Sequence, residues 1–349
     1  MTGGTSGRST GRAVRFGFLG AGWIASRALA PAVHAADGAT LQAVAARDLG
    51  RAAALEPEGR CYDDYAAVVA DPDVDVVYVA LSNEAHRPWT LAALQAGKHV
   101  LCEKPLGLDA TEVAEITAMA VTHDRLAVEA FWYRWHPRTL RLEHLLAEGV
   151  PGRILGVETD FTFLGDYTGE FAGNYRLEPA RGGGALYDVG CYAVSGAHLA
   201  VGPELTVEKA TATLGETGVD LATSATLRVP GGVHAGAGAV VACGIAAPPR
   251  QVFRVEGEDA VLELPGDEAF TSWNRSSTLE IREAGGTVRV ETFAPVDPYR
   301  RMVEAVAARV RGEDAFVVPL DHSAQVVTTL DAVRTTTAAA AGSTATAGE

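Results

Sequence analysis

The sequence predicts an α/β protein in two domains, a doubly wound parallel sheet followed by an α+β domain with a largely antiparallel sheet. Three observations carry this expectation. At 349 residues the chain exceeds what one ordinary hydrophobic core serves. Up to Arg134, short apolar runs alternate with helical patterns at the spacing of βαβ units. Beyond it the rhythm changes to successive strand-like runs with few helices.

The elements follow in order. Val14 to Leu19 is a compact β-type run; it ends in Gly20-Ala21-Gly22-Trp23-Ile24-Ala25, and a helical pattern continues to about Ala36. Leu41 to Ala46 forms a second strand and Leu49 to Leu55 a short helix. Val74 to Leu81 is a third strand, entered through the turn-like Asp71-Pro72-Asp73. Pro88 to Ala96 reads as a helix closed by Gly97. His99 to Cys102, a helix from Ala110 to His123, and Leu126 to Phe131 complete the first domain, residues 13–134. The second domain, residues 135–334, opens with a helix from Pro137 to Glu148. Strand-like runs follow at Ile154–Phe163, Val207–Leu214, Ala222–Val229, Val240–Ile245, Gln251–Glu256, Ala260–Leu264 and Thr287–Phe293, interrupted by a helix from Ala185 to Ala200. Tyr299–Arg311 and Ser323–Arg334 read as closing helices that pack back on the first domain. Residues 1–12, rich in Gly, Ser and Thr, are expected to be a disordered lead, and residues 335–349 a disordered tail.

Composition narrows the function classes. Apolar residues make up 48% of the chain, enough for filled cores. A net charge of −15 argues against nucleic-acid or membrane-surface binding, since both want a basic face. Any anionic ligand must therefore be held by a local cluster of positive groups. Cys61, Cys102, Cys191 and Cys243 show no CxxC spacing, which suits reduced thiols in a cytoplasmic protein. No apolar run reaches membrane-spanning length. No His/Cys/Asp/Glu cluster has metal-ligand spacing, so no metal is expected.

The Gly20-x-Gly22-x-x-Ala25 pattern stands where a dinucleotide site requires it, directly after the first strand and opening the first helix. The first glycine permits the tight turn and the second lets backbone approach a pyrophosphate. The small third residue allows close helix–strand packing, and the pyrophosphate lies on the helix N-terminus beside Trp23 and Ile24. The end of the second strand, Ala45-Ala46-Arg47-Asp48, bears on cofactor choice. An acidic residue there suits the ribose of NAD, and an arginine the 2′-phosphate of NADP. Arg47 comes first and favours NADP, with NAD as the alternative; Asp48 could equally cap the next helix. Asn83 and His86 lie beyond the third strand, on the edge where cofactors bind, although a helix cap and a surface residue are the plain alternatives.

Two separated stretches, Glu103-Lys104-Pro105 and Asp188-Val189-Gly190-Cys191-Tyr192, supply an acid/base set. Lysine and tyrosine titrate near 10 when unperturbed. A lysine ammonium beside Tyr192 would favour the phenolate and lower its pKa, fitting it to exchange a proton while a hydride moves at the adjacent carbon. Asp188 and Tyr192 stand four apart in an expected helix and so share a face.

Taken together, Gly17–Ala25, Ala96–Pro105, Glu129–Pro137, Asn174–Leu177 and Gly182–Tyr192 resemble the glucose–fructose oxidoreductase / inositol dehydrogenase (Gfo/Idh/MocA) family over nearly the whole chain. Within it, Ala45–Leu49 and Glu216–Asp220 are similar to dimeric dihydrodiol dehydrogenases and NADP-linked D-xylose 1-dehydrogenases. Ketoreductases acting at the 3-position of nucleotide-linked deoxysugars share the central motifs. The resemblance implies a Rossmann domain and a C-terminal domain with a broad open sheet, often used to form homodimers or homotetramers. It implies NADP-dependent hydride exchange with a sugar or cyclic polyol, free or nucleotide-linked. It also implies Lys104 as catalytic lysine, Tyr192 as general acid/base and Asp188 as their helper, with Glu103 and Lys104 near the cofactor. Many relatives carry histidine where this chain has Tyr192. Trp132, Arg134 and His136 at the domain junction, with Arg176 and Arg181 upstream of the catalytic helix, are candidates to hold the substrate; interdomain packing is the alternative for the first three. A non-catalytic dinucleotide sensor on the same fold is the rival from another class.

Overall fold

The computed structural model describes residues 12–165 and 173–346. The first eleven residues of the expected lead lie outside the described residues; Arg12, its last, pairs with Asp75.

The first domain is a six-stranded sheet, all parallel, in the order β3-β2-β1-β4-β5-β6. Its strands are β1 (Val14–Leu19), β2 (Ala39–Ala45), β3 (Arg60–Tyr62), β4 (Val76–Val79), β5 (His99–Cys102) and β6 (Ala127–Glu129). This is the Rossmann order, with the switch point between β1 and β4. Both faces of the sheet are covered, which is why β4 (VVYV) is apolar and buried at every position. The covering helices are α1 (Ala30–Ala35), α2 (Leu49–Ala53), α3 (Tyr65–Ala70), α4 (His86–Gln95) and α5 (Ala110–His123). Aspartates start three of them: Asp48, Asp64 and Asp109 each accept backbone N–H groups at the cap of α2, α3 and α5. The first helix begins at Trp23 and carries a π turn over Ala25–Leu29 before α1.

The second domain adds α6 (Pro137–Ala147), β7 (Ile154–Leu164), α7 (Cys191–Val201), and β8 (Thr206–Leu214), β9 (Asp220–Arg228), β10 (Gly238–Gly244) and β11 (Ala246–Gly257). Then come β12 (Ala260–Glu263), β13 (Ser277–Glu283), β14 (Val288–Phe293), α8 (Pro298–Val310) and α9 (Leu320–Thr346). The eight strands form one open sheet, β14-β13-β12-β11-β7-β10-β9-β8, antiparallel throughout except for β7 with β10. β9 shows how the sheet sits: Thr223, Ala225 and Leu227 are buried while Ser224, Thr226 and Arg228 are exposed. One face is covered and the other is not. α7, buried along almost its whole length, lies on the covered face against β7 and β10. α8 rests on the Trp132–Trp135 turn and α1, and α9 runs along α5, α7 and β8, so both tie the two domains together.

Three elements escaped the sequence reading. β3 is short and exposed, and α3 is a uniform apolar run with no helical period. β13 alternates buried and half-buried residues from Ser277 to Ile281, a legible signal. The expected disordered tail is also corrected, because α9 continues through residue 335 to Thr346. Alanine is the best intrinsic helix former, and the Thr335 and Thr336 hydroxyls donate to the carbonyls of Asp331 and Ala332.

Candidate active site

The catalytic candidates come together at the carboxyl edge of the Rossmann sheet, where it faces α7. β5 ends at Cys102 and delivers Glu103 and Lys104, followed by a cis Lys104–Pro105 bond. The catalytic helix starts at a π turn, Leu186–Gly190, before α7; such turns recur at functional sites. Asp220 at the start of β9 anchors it, accepting from the Leu186 N–H (2.9 Å) and the Thr223 hydroxyl (2.7 Å). Gly184 is required at this junction: its φ is +111°, and a Cβ there would collide with the Asp220 carboxylate.

Lys104 and Asp188 meet directly. The Lys104 ammonium donates to the Asp188 carbonyl oxygen at 2.6 Å and to its Oδ1 at 3.1 Å. Arg176 Nε donates to Oδ2 at 2.6 Å, so one carboxylate is shared by two cations. Burial alone would raise the Asp188 carboxyl, but Arg176 and then Lys104 outweigh it and hold it far below the usual carboxylate range. Burial likewise pulls Lys104 down, and Asp188 outweighs it, leaving the ammonium above its ordinary value. Glu103 turns away from this cluster: Tyr78 donates to its Oε1 at 2.7 Å, and burial raises its carboxyl.

Tyr192 occupies a different environment. Its ring is surrounded by Phe131, Tyr133, Phe161 and Phe270, at centroid separations of 5.4–6.1 Å. The Trp132 indole N–H donates to its hydroxyl at 2.9 Å, and Trp132 itself stacks on Tyr299 at 4.4 Å. Lys104 Nζ lies 5.4 Å from the Tyr192 ring centroid and is committed to Asp188. The expected lowering of the tyrosine pKa by the lysine is therefore corrected. Burial pushes the Tyr192 phenol well above its ordinary value, so the phenol keeps its proton.

The other end of the cleft has the features of a nucleotide site. Gly20 has φ +100°, and a Cβ would sit 2.5 Å from the Ala80 carbonyl oxygen, so the turn admits only glycine. A Cβ on Gly22 would meet nothing within 4 Å, which leaves the approach to the helix N-terminus open. Ala25 is fully buried against the sheet, Ile24 is half-buried, and Trp23 is 64% exposed at the rim. Arg47 is exposed beyond β2, while Asp48 caps α2, accepting from Gly50 N at 2.8 Å. Arg51, which the sequence reading passed over, donates to the Ala21 carbonyl oxygen at 2.7 Å and so reaches the glycine turn. These residues fit a dinucleotide whose adenosine end meets two arginines.

Four expected ligands are placed elsewhere. Asn83 is buried and donates to the Gly182 carbonyl oxygen at 2.8 Å, joining the two domains. His86 is enclosed, with Nδ1 2.7 Å from Pro105 O and Nε2 3.1 Å from Leu81 O. Arg134 is buried in the domain junction, donating to Glu143 and lying over Phe316. His136 caps α6 by accepting from Arg138 N at 3.1 Å, and burial lowers its pKa to about 4. Each lies near the cleft in sequence, and tertiary packing turned each inward. Arg181 also bridges the domains, pairing with Glu84 and Glu178 and donating to Ser82.

Comparison with known proteins agrees with this arrangement. A family model described as an oxidoreductase family with an NAD-binding Rossmann fold matches residues 14–131, and the C-terminal domain model of the same family matches residues 139–263. An NADP-dependent D-xylose 1-dehydrogenase of Haloferax volcanii is 36% identical over 91% of this chain and 95% of its own. The chain belongs to the Gfo/Idh/MocA oxidoreductase family. Another member, the trans-1,2-dihydrobenzene-1,2-diol dehydrogenase of Mus musculus, is 34% identical over 64% of the chain and 67% of its own length. Among solved structures, a 3-ketoreductase from Actinomadura kijaniata in complex with NADP and TDP-benzene superimposes with a TM-score of 0.84. It is 28% identical and covers 93% of this chain and 98% of that one. Like its family, the chain is an NAD(P)-dependent oxidoreductase acting on CH–OH groups and their carbonyl partners.

Proposed function

We propose that this chain is an NADPH-linked ketoreductase that reduces a ketone on a nucleotide-linked sugar. One observation carries the direction. Tyr192 is neutral, and its hydroxyl accepts from the Trp132 indole, so its own proton points to a further acceptor. Bound NADPH supplies the hydride to the carbonyl carbon. Tyr192 donates its proton to the carbonyl oxygen, and the phenolate then regains a proton from water, leaving an alcohol. Lys104, held charged by Asp188, stabilises negative charge as it develops on that oxygen. Similarity to the 3-ketoreductase, solved with NADP and a TDP ligand, supports both cofactor and substrate class.

A second reading, oxidation of a free aldose, is favoured by the similarity to the D-xylose dehydrogenase and by the ion pairs that hold Arg181 on Glu84 and Glu178. Two assays separate the readings: NADPH oxidation with a thymidine-diphosphate keto sugar, and NADP reduction with D-xylose. Turnover in the first and little in the second supports the proposal; the reverse overturns it. Replacing Arg47 and Arg51 together by alanine should raise the KM for NADPH at least about tenfold while leaving NADH little changed, as expected if they meet the 2′-phosphate. We also propose a homodimer through the uncovered face of the large sheet, where the register partners Thr226 and Val240 are both exposed; sedimentation at several concentrations tests it.

A further inference from the structure

The connection that carries Lys104 is held from two sides by enclosed side chains that touch neither Lys104 Nζ nor Tyr192. His86 sits near the start of α4, only 1% exposed. Its Nδ1 is 2.7 Å from the carbonyl oxygen of Pro105, and its Nε2 is 3.1 Å from that of Leu81, just past the end of β4. Glu129, the last residue of β6, is 2% exposed, and its Oε1 accepts from the next backbone group along, the Leu106 N–H, at 2.9 Å. The two side chains thus grip the C=O and the N–H of a single peptide group, Pro105–Leu106, the one that follows the Lys104–Pro105 bond. They tie the segment that follows β5 to the start of α4 on one side and to the end of β6 on the other, at the edge where the chemistry is placed.

We propose that His86 and Glu129 are positioning residues that hold the Pro105–Leu106 peptide group from both ends and thereby aim Lys104 at Asp188 and the reacting oxygen.

Neither residue has a simpler packing reason for its chemistry. A histidine and a carboxylate are costly to enclose, and hydrophobic residues of similar size would fill the same volume. Burial pushes the Glu129 carboxyl up to about 7, even with the Ser323 hydroxyl of α9, the Leu106 amide and the Lys104 ammonium favouring its charged form; Glu103 adds to the rise. Burial likewise lowers His86, leaving a neutral ring in which one nitrogen carries the proton. The short contact to Pro105 assigns that proton to Nδ1.

The proposal rests on the oxidoreductase reading of Lys104 and not on the direction of the reaction, so either assay above serves. Glu129→Leu removes the acceptor, whereas Glu129→Gln keeps one of similar reach. The Leu variant should lower kcat about tenfold to a hundredfold with KM for the cofactor within about threefold, the scale expected for a misplaced catalytic group. The Gln variant should stay within about threefold of wild type. In a Lys104→Ala background, Glu129→Leu should cost less than about threefold more, because the group it positions is gone. His86→Leu should behave as Glu129→Leu does. Hydrogen exchange of the peptide containing Leu106 should quicken in Glu129→Leu and not in Glu129→Gln, a readout independent of any substrate. Equal losses in the Lys104 and Lys104→Ala backgrounds, equal losses in the Leu and Gln variants, or an unchanged kcat would each overturn the proposal. If Glu129→Leu does not fold, Glu129→Asp, whose reach is shorter, takes its place under the same outcomes.

Discussion

The two halves of the acid/base site are built on opposite principles. Around Lys104, charge is met by charge: the half-buried ammonium and the Arg176 guanidinium both pair with the buried Asp188 carboxylate. Around Tyr192 the ring lies among Phe131, Tyr133, Phe161 and Phe270; an indole N–H donates to its hydroxyl, and the Lys104 ammonium lies over the ring without being committed to that hydroxyl. The same burial therefore has opposite outcomes. At Lys104 and Asp188 the partners overcome it and both groups stay ionised; at Tyr192 it prevails and the phenol stays neutral. The difference separates two jobs that a simple lysine–tyrosine couple would merge. The lysine offers a fixed positive charge, and the tyrosine offers a proton.

The contrast can be broken from either side. Tyr192→Phe should have the largest effect, lowering kcat about a thousandfold with NADPH affinity unchanged in a fluorescence titration, since proton transfer is the one thing it loses. Asp188→Asn leaves two half-buried cations without the carboxylate they share. It should lower kcat by about a hundredfold and cost about 3–5 kcal/mol of stability, read from chemical denaturation. The carboxylates also differ in pH response. Asp188 is held below its ordinary value of 3.8, so its contribution is present at neutral pH and lost under acid. Glu129 is raised from 4.5 to about 7, so the native state favours its protonated form. Its contribution is full below about 4.5 and is lost as pH rises through about 7, a swing of up to about 3 kcal/mol. Thermal unfolding from pH 4 to 8 should show wild type losing stability relative to Glu129→Gln over that range. The smallest effect belongs to Trp132→Phe, which removes one hydrogen bond to Tyr192 and should lower kcat about fivefold to tenfold.

How much of this was legible in the sequence differs between the halves in the same way. Glu103-Lys104-Pro105, Asp188 to Tyr192 and Gly20-x-Gly22-x-x-Ala25 are local motifs, and they mark the candidate acid/base set and the dinucleotide turn without a structure. The strand alternation likewise implies a doubly wound parallel sheet before β3 and α3 are seen. The physical state of Tyr192 was misread, because it depends on four aromatic rings and Trp132, drawn from elements far apart in the chain. For Arg134 and His136 the sequence left substrate binding and interdomain packing both open; only the fold shows that one pairs with Glu143 and the other caps α6. Glu129 carried no local signal at all, since its partner is a backbone amide 23 residues away. Asp220 could have been suspected as a lone acid at a strand start, but its hold on the catalytic helix is equally long-range.

The neutrality of Tyr192 is the claim on which the direction of chemistry depends, and an ultraviolet difference titration tests it without any substrate. The protein has nine tyrosines, so the spectrum of wild type minus Tyr192→Phe isolates the one in question. This account predicts no phenolate absorbance in that difference up to pH 9. A single-tyrosine phenolate band with a midpoint between about pH 7 and 8 would contradict it, and would restore a lysine-activated phenolate as the resting state.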